Sequence, residues 1–493
     1  MSDTTAPPER PADEITFRER IATIDDEGKR KWIFPKKPSG RFTRARTFLS
    51  YFLLAFLFGA PFIRINGEPL LLLNVLERKF AIFGVIFWPQ DFYLFGLVMV
   101  ATIVFIFLFT AVFGRLFCGW ICPQTVFMEL VFRRIEYLID GDAQQQRMLA
   151  TTPWTPGKVA KRVGKLAIFF ALSFLIGNTF LAYLIGVDQL AKIVTDPPSQ
   201  HIGGLTAMLV FSGMFFFVFT WFREQACVLV CPYGRLQSVL LDENSVVITY
   251  DDKRGEPRTK MRKGVSREGL GDCVDCGQCV FVCPTGIDIR NGTQLECVNC
   301  TACIDACDSV MDNVGLPRGL VRYSSHAAIK AGAAKLLTPR VIGYSVVLFL
   351  LVSLIVYLFA ARPTVEATVL RAPGTLYQEK PGGMISNLYT MKVINKTHDD
   401  VAVTARLLEP EGTLTLVGSS TTAPSGGYAQ AVFFIDIPRN RLETATVPVI
   451  IGLYAGERLL ESIETTFVGP GPNSMEPQHE DDDREKEQHE DRH

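Results

Sequence analysis

The chain has 493 residues, enough for several domains, and its 50 basic residues almost balance 51 acidic ones, for a formal net charge of −1. That balance gives no reason to expect a nucleic-acid partner. An apolar share of 48% and a mean hydropathy of +0.20 are unusual for a soluble protein and point to membrane segments.

Residues 1–46 lack the apolar core of a cleaved signal peptide and read as a basic cytoplasmic segment. Lys29, Arg30, Lys31, Lys36, Lys37, Arg41, Arg44 and Arg46 crowd ahead of the first apolar run, Phe48 to Ile63, as a cytoplasmic anchor does. Pro61 is expected to kink or end that span. Residues 68–90 read as a loop with two apolar patches, Leu70 to Leu73 and Ala81 to Trp88, each too short to cross a bilayer. Further spans are predicted at Phe92 to Phe113, Leu166 to Ile185, Leu205 to Phe222 and Val341 to Ala361. Arg115, Arg133, Arg134, Arg147, Lys158, Lys161, Arg162 and Lys165 lie between the second and third spans, against Lys192 alone between the third and fourth. The positive-inside tendency therefore puts the amino terminus, the 115–165 loop and the 223–340 segment in the cytoplasm. The predicted organisation is a four-helix membrane domain over 47–235, a cytoplasmic segment over 236–340, and a fifth span over 341–361.

The cytoplasmic segment carries eight cysteines in two runs, expected to form a ferredoxin domain at about 265–315. CVDCGQCVFVCP holds Cys273, Cys276, Cys279 and Cys283; CVNCTACIDAC holds Cys297, Cys300, Cys303 and Cys307. Each run is C-x2-C-x2-C-x3-C, the spacing of a bacterial two-cluster ferredoxin. Three thiolates converge from a short loop, and the fourth cysteine is expected to start a helix that carries it to the neighbouring cluster. One [4Fe-4S] cluster then takes Cys273, Cys276, Cys279 and Cys307, and the other takes Cys297, Cys300, Cys303 and Cys283. Pro284 follows the first crossing cysteine and Thr285-Gly286 reads as a tight turn, whereas Cys307 is followed by Asp308 instead of proline. Zinc knuckles also use C-x2-C pairs, but two complete four-cysteine repeats favour iron–sulfur. A reducing compartment argues against a disulfide scaffold.

Two further motifs lie at the membrane edge. FCGWICPQT gives Cys118 and Cys122 after the second span, and ACVLVCPYG gives Cys227 and Cys231 after the fourth. If the helices continue, a spacing of four puts each pair on one face, and Pro123 and Pro232 then break the chain. Four thiolates from two helices would share one site. Thiolates suit Cu(I), zinc or an iron–sulfur cluster, and spacing does not separate these; a redox dithiol and inert buried cysteines are the other readings. Arg115 and Arg223 are placed either to lower nearby thiol pKa values or to anchor the interface. No Walker or dinucleotide-binding loop precedes a helix, so no built-in nucleotide or flavin source of electrons is visible.

After Arg362 the chain becomes rich in β-branched runs: Val365 to Leu370, Leu388 to Ile394, Val401 to Leu408, Leu414 to Val417, Ala431 to Ile437, Ala445 to Leu453 and Ser462 to Val468. About seven short strands over 362–470 read as a periplasmic all-β immunoglobulin-like sandwich. Asn395-Lys396-Thr397 matches a glycosylation sequon. Residues 471–493 form an acidic tail expected to be disordered, with His479, His489 and His493 in it.

Taken together, the basic start, FCGWICPQT, CVLVCPYGRLQ, both ferredoxin runs and the β-rich end after a fifth span resemble the FixG/RdxA/CcoG family of cbb-type cytochrome oxidase accessory proteins. The resemblance covers nearly the whole chain. It implies a multi-pass protein of a bacterial inner membrane that reduces Cu(II) to Cu(I) for the oxidase copper centre, an oxidoreductase with two [4Fe-4S] clusters. On that reading the eight ferredoxin cysteines transfer electrons, and Cys118, Cys122, Cys227 and Cys231 form a catalytic site holding copper or a third cluster. Copper ions, a cytoplasmic electron donor, copper-handling proteins and oxidase assembly intermediates are the implied partners. A quinone-linked electron conduit and a non-enzymatic docking subunit are the alternatives.

Overall fold

The computed structural model describes residues 22–470 apart from 25–26, 28, 66, 76–78, 262–267, 333–334, 336, 375, 419–420 and 443. The first 21 residues and the acidic tail with its three histidines lie outside the described residues, as do 265–267, where the ferredoxin domain was expected to begin. The chain divides into two compact units, one running to Phe359 apart from Val85–Phe87, the other formed by that short stretch and the chain from Ala360.

In the first unit five helices are long and apolar enough to cross a membrane: Arg41–Phe62, Phe92–Phe113, Pro156–Ile185, Ile202–Phe222 and Pro339–Ala360. Only 11% of the second and fourth and 6% of the fifth are buried, so their apolar faces point outward, as helices solvated by lipid require. Two of them start well before their apolar runs. The first begins at Arg41 because Asp305, far away in sequence, caps it: the Phe42 and Thr43 amides donate to its carboxylate at 3.1 and 2.7 Å. The third begins at Pro156, a proline in the first turn behind the Thr155 cap, and so takes Lys158, Lys161, Arg162 and Lys165 into the helix. Pro61 does end the first span, in a single 3-10 turn at Ala60–Phe62.

The first apolar patch of the 68–90 loop becomes a hairpin arm. Leu71–Asn74 pairs antiparallel with Lys79–Ile82, and Leu70 packs with Ala60 and Tyr183 at the ends of the first and third spans. At the opposite ends lies a buried ion-pair network. Arg223 grips Glu136 at 3.1 and 2.7 Å, Lys165 pairs with Asp140 and with Glu136 at 3.7 Å, and Arg133 reaches Glu129 at 3.3 Å. Burial pushes the Glu136 carboxyl up, but Arg223, Lys165 and Arg133 together hold it below its usual range.

The second unit is β-rich. One antiparallel sheet runs Thr413–Val417, Tyr428–Pro438, Met384–Asn395, Val365–Arg371, with Gln378–Lys380 also on Met384–Asn395; the other runs Thr421–Ala423, Val401–Glu409, Thr446–Ala455, Arg458–Val468. All seven predicted strands form, and two three-residue strands are added. The sheets share one apolar core, which includes Tyr389, Phe433, Ile451 and Phe467, all fully buried. Tyr389 stacks on Phe433 and donates its hydroxyl to the Thr466 carbonyl of the other sheet at 2.9 Å. The sequon is not an acceptor here: Asn395 is fully buried and its amide donates to the Asp399, Ala423 and Pro424 carbonyls.

Candidate redox site

The two ferredoxin runs share one backbone device. Left-handed residues flank the second cysteine of each: Asp275 (φ 48°) and Gly277 (66°) around Cys276, Asn299 (53°) and Thr301 (66°) around Cys300. Asp, Asn and Gly adopt that conformation readily; a β-branched threonine does not. The curled loops bring Cys273, Cys276, Cys279 and Cys307 to the wall of one small cavity. Cys283, Cys297, Cys300 and Cys303 wall a second, and Cys279 borders both. We call these the outer and inner lobes.

The fourth cysteines do not start helices as expected. Cys307 sits inside Ala302–Val314, one turn beyond Cys303, so neighbouring thiols of one helix face different lobes. Cys283 lies just past the short turn Gln278–Phe281. The Thr285-Gly286 turn does form, with Gly286 at φ 75° and its amide on the Cys283 carbonyl at 3.2 Å.

Burial pushes the Cys297 and Cys307 thiols up to about 12 and Cys300 to about 11. It pushes Cys279 to about 12 as well, although the Arg290 guanidinium works against it. Thiols like these stay protonated until a metal displaces the proton. Four of them around an apolar cavity form a donor set that fits an iron–sulfur cluster. Among the described residues no three His, Cys, Asp or Glu side chains stand close enough to hold a single ion, at the membrane-edge cysteines as at the two lobes. Cys276 is exposed, whereas Cys273, Cys279 and Cys300 are buried.

The membrane-edge cysteines come together, but not on continuous helices. The second span stops at Gly114 (φ 56°) and the fourth at Arg223 (φ 54°). A short helical turn follows each, Leu116–Trp120 and Ala226–Val230, the latter wound as a π-turn. Cys122 and Cys231 are then extended (ψ 124° and 111°), because the residue before a proline is kept out of the helical region, and each precedes a proline-headed helix. Two turns of matching shape therefore gather the thiols. Cys118 feels the charge of Cys122 and Cys231, and Cys227 that of all three others. Burial pushes Cys118 and Cys227 up to about 12, the opposite of what a reactive dithiol needs.

This group adjoins the inner lobe. Cys118 and Cys227 pack against the buried cluster of Val282, Val298, Cys300 and Ala302, which Cys303 also adjoins. Gly119, Gln237, Trp120 and Tyr323, which sequence reading passed over, make the junction together with Arg46 and Arg115. Gly119 lies so close to the ligand loop that a Cβ there would sit 2.3 Å from the Asn299 carbonyl oxygen. Arg46, 4% exposed, donates to the Gly119 carbonyl at 2.9 Å and to the Cys300 carbonyl at 2.7 Å. Arg115, 7% exposed, donates to the Leu295 and Gly234 carbonyls. Gln237, fully buried, accepts from the Cys118 thiol at 3.3 Å. Trp120 donates to the Tyr323 hydroxyl at 3.0 Å, and that hydroxyl donates to the Asn299 carbonyl at 3.2 Å. The glycine between Cys118 and Cys122 was the available signal, since glycine marks close backbone approach. The two arginines noted in the sequence part company: Arg115 reaches the ligand loop, while Arg223 is taken up by Glu136.

Five apolar helices carrying two cysteine-lined lobes define a membrane-spanning iron–sulfur protein. Residues 222–326 match a 4Fe-4S dicluster domain, residues 95–139 a 4Fe-4S binding domain, and residues 355–470 an Ig-like fold at the C-terminus of FixG, described as a putative oxidoreductase. The chain is 34% identical to protein RdxA of Cereibacter sphaeroides over 75% of its own length and 80% of that protein's. It is 31% identical to protein RdxB of the same organism over 86% and 90%. It is 40% identical to the nitrogen fixation protein FixG of Rhizobium meliloti over 62% of this chain, a match that spans 59% of the length of FixG. The chain belongs to the FixG/RdxA/CcoG family of cbb-type oxidase accessory proteins.

Proposed function

We propose that this protein is a bacterial inner-membrane oxidoreductase of cbb-type cytochrome oxidase assembly that reduces Cu(II) to Cu(I) at Cys118, Cys122, Cys227 and Cys231. The packing of Cys118 and Cys227 against the buried cluster that contains Cys300, which Cys303 also adjoins, is the observation that carries this reading. Cys273, Cys276, Cys279 and Cys307 would hold one [4Fe-4S] cluster, and Cys283, Cys297, Cys300 and Cys303 the other. When bound, such clusters supply one-electron storage and transfer. The chain's own part is placement. Exposed Cys276 faces a soluble reductant, Cys279 borders both lobes, and the four membrane-edge thiols offer soft sulfur that favours Cu(I) over Cu(II). Each Cu(II) takes one electron, which the cytoplasmic donor replaces; copper held at the four sulfurs would displace their protons to solvent, and the sulfurs would be neither oxidised nor transferred. A copper ion or a third cluster is the resident we assign to the four thiols.

The basic residues flanking the thiols favour a cytoplasmic face for both lobes, which puts the β-rich unit in the periplasm. We read that unit, 362–470, as an immunoglobulin-like sandwich that docks oxidase intermediates or copper-handling proteins, and keep the 47–235, 236–340 and 341–361 segments as the remaining domains. A quinone conduit would need a quinone beside the thiols. An apolar cavity of about 550 Å³ opens between the third and fourth spans, with Asp196 and His201 in its lining, towards the other end of the fourth span; a second of about 590 Å³, lined by Thr47, Phe48, Tyr51 and Arg134, lies beside the first span. The first cavity reaches Phe211, leaving about 16 Å of helix between it and the end of the fourth span at Phe222.

The test is Cys118→Ser and Cys227→Ser, purified without oxygen and first assayed for iron. With iron content unchanged, Cu(II) reduction is expected to fall at least 10-fold. Full copper reduction in both variants would overturn the assignment of the four thiols.

A further inference from the structure

Arg46 and Arg115 are buried cations at the junction without an ion-pair partner among the described residues, unlike Arg223, which lines a small cavity with Cys227 and Val298 but is paired with Glu136. Both spend their hydrogen bonds on carbonyls: Arg46 on Gly119 and Cys300, Arg115 on Leu295, Gly234 and, at 3.5 Å, Cys297. Two of those carbonyls, on Cys297 and Cys300, belong to inner-lobe ligands. The Arg46 Nη2 and the Arg115 Nε are buried without a hydrogen-bond partner. Glu296 lies within electrostatic reach of Arg115 but makes no ion pair with it. The outer lobe is different. Its nearby cation, Arg290, is neutralised by Asp275 and Asp288, both at 2.6 Å.

We infer that Arg46 and Arg115 are positioning residues that fix the inner lobe as the electron acceptor of the pair, by holding two guanidinium charges without ion-pair partners against its ligand loop. Their pull there exceeds the opposing charge of Glu296 and of Glu129, itself paired with Arg133. A cluster gains negative charge on reduction, and the protein sets its potential through net charge, hydrogen bonds and exposure. An unpaired cation in a site shielded from water stabilises the reduced form strongly. The exposure of Cys276 stabilises the reduced outer lobe through water, but water screens charge and the buried arginines are not screened. In the step concerned one electron leaves the outer lobe and is gained by the inner lobe. No bond is made or broken and no proton moves; the electron comes from the cytoplasmic reductant. The same two side chains thereby direct electrons toward Cys118 and Cys227. The inference rests on the cluster assignment of the proposed function.

The experiment is an EPR-monitored redox titration of the full-length protein, with Arg46→Gln, Arg115→Gln, and Arg46→Lys and Arg115→Lys as charge-retaining controls. Cys276→Ser, which perturbs the outer lobe alone, assigns the signals. The expected result is a shift of the inner-lobe midpoint to more negative potential in each glutamine variant, an unmoved outer-lobe midpoint, and near-wild-type midpoints in the lysine variants. Iron-loaded glutamine variants with unmoved midpoints, or with both midpoints moved equally, would overturn the inference, as would lysine variants that shift as far as glutamine. Loss of inner-lobe iron from both glutamine variants would also overturn it, leaving a purely structural role. Wild-type protein with no iron and sulfide at all would instead sink the cluster assignment.

Discussion

Replacing Gly119 by alanine is expected to strip the inner lobe of its iron while the outer lobe keeps its own. The added methyl would stand 2.3 Å from the Asn299 oxygen and 2.7 Å from the Val298 oxygen. These are backbone atoms of the loop that carries Cys297 and Cys300, so no rotamer change relieves the clash. Overpacking that side chains can absorb already costs about 1–3 kcal/mol, and here the relief available is to part the membrane-edge turn from the ligand loop. That parting would break the Arg46 bridge between the Gly119 and Cys300 carbonyls. Iron and sulfide analysis should fall toward half of wild type, with the outer-lobe EPR signal retained. Gly213→Ala, inside the fourth span with nothing within 4 Å of the new methyl, is the control that should change neither. Full iron content in the Gly119 variant would show that the junction is looser than this packing requires.

Replacing Cys307 by alanine has an equally large expected effect, and on the other lobe. Cys307 belongs by sequence to the second run but shares its cavity with Cys273, Cys276 and Cys279. Its loss should therefore abolish the cluster of the first run and spare the one walled by Cys283, Cys297, Cys300 and Cys303. Cys283→Ala should do the reverse. An EPR spectrum in which Cys307→Ala eliminates the inner-lobe signal would refute the crossed arrangement.

Much of this was legible in the sequence because it is local. Five apolar runs, two C-x2-C-x2-C-x3-C repeats and alternating β-branched segments each follow from the spacing of neighbouring residues, and the spans and strands appear with ends shifted by a few residues. The exceptions are the first and third spans, which start at Arg41 and Pro156 instead of Phe48 and Leu166. What escaped is long-range. Asp305 caps the first span from more than 260 residues away, so Arg41, Arg44 and Arg46 become helical and Arg46 turns inward to the Cys300 loop. Nothing local distinguishes that arginine from its neighbours in a basic anchor. The face-sharing expected of Cys118 and Cys122 rested on a helix that Pro123 and Gly114 interrupt; the thiols still gather, because two turns of the same shape replace two helical faces. The sequon failed for a related reason, since Asn395 is consumed by carbonyls of a loop some 28 residues on.

The most direct measurement is an anaerobic titration of the reduced protein with Cu(II), following cluster absorbance alongside a Cu(I)-specific trap. The expected result is oxidation of the clusters matched one electron to one by the appearance of Cu(I). Clusters that stay reduced as copper is added would contradict copper reduction, and oxidation by a quinone in their place would move the function to the conduit reading.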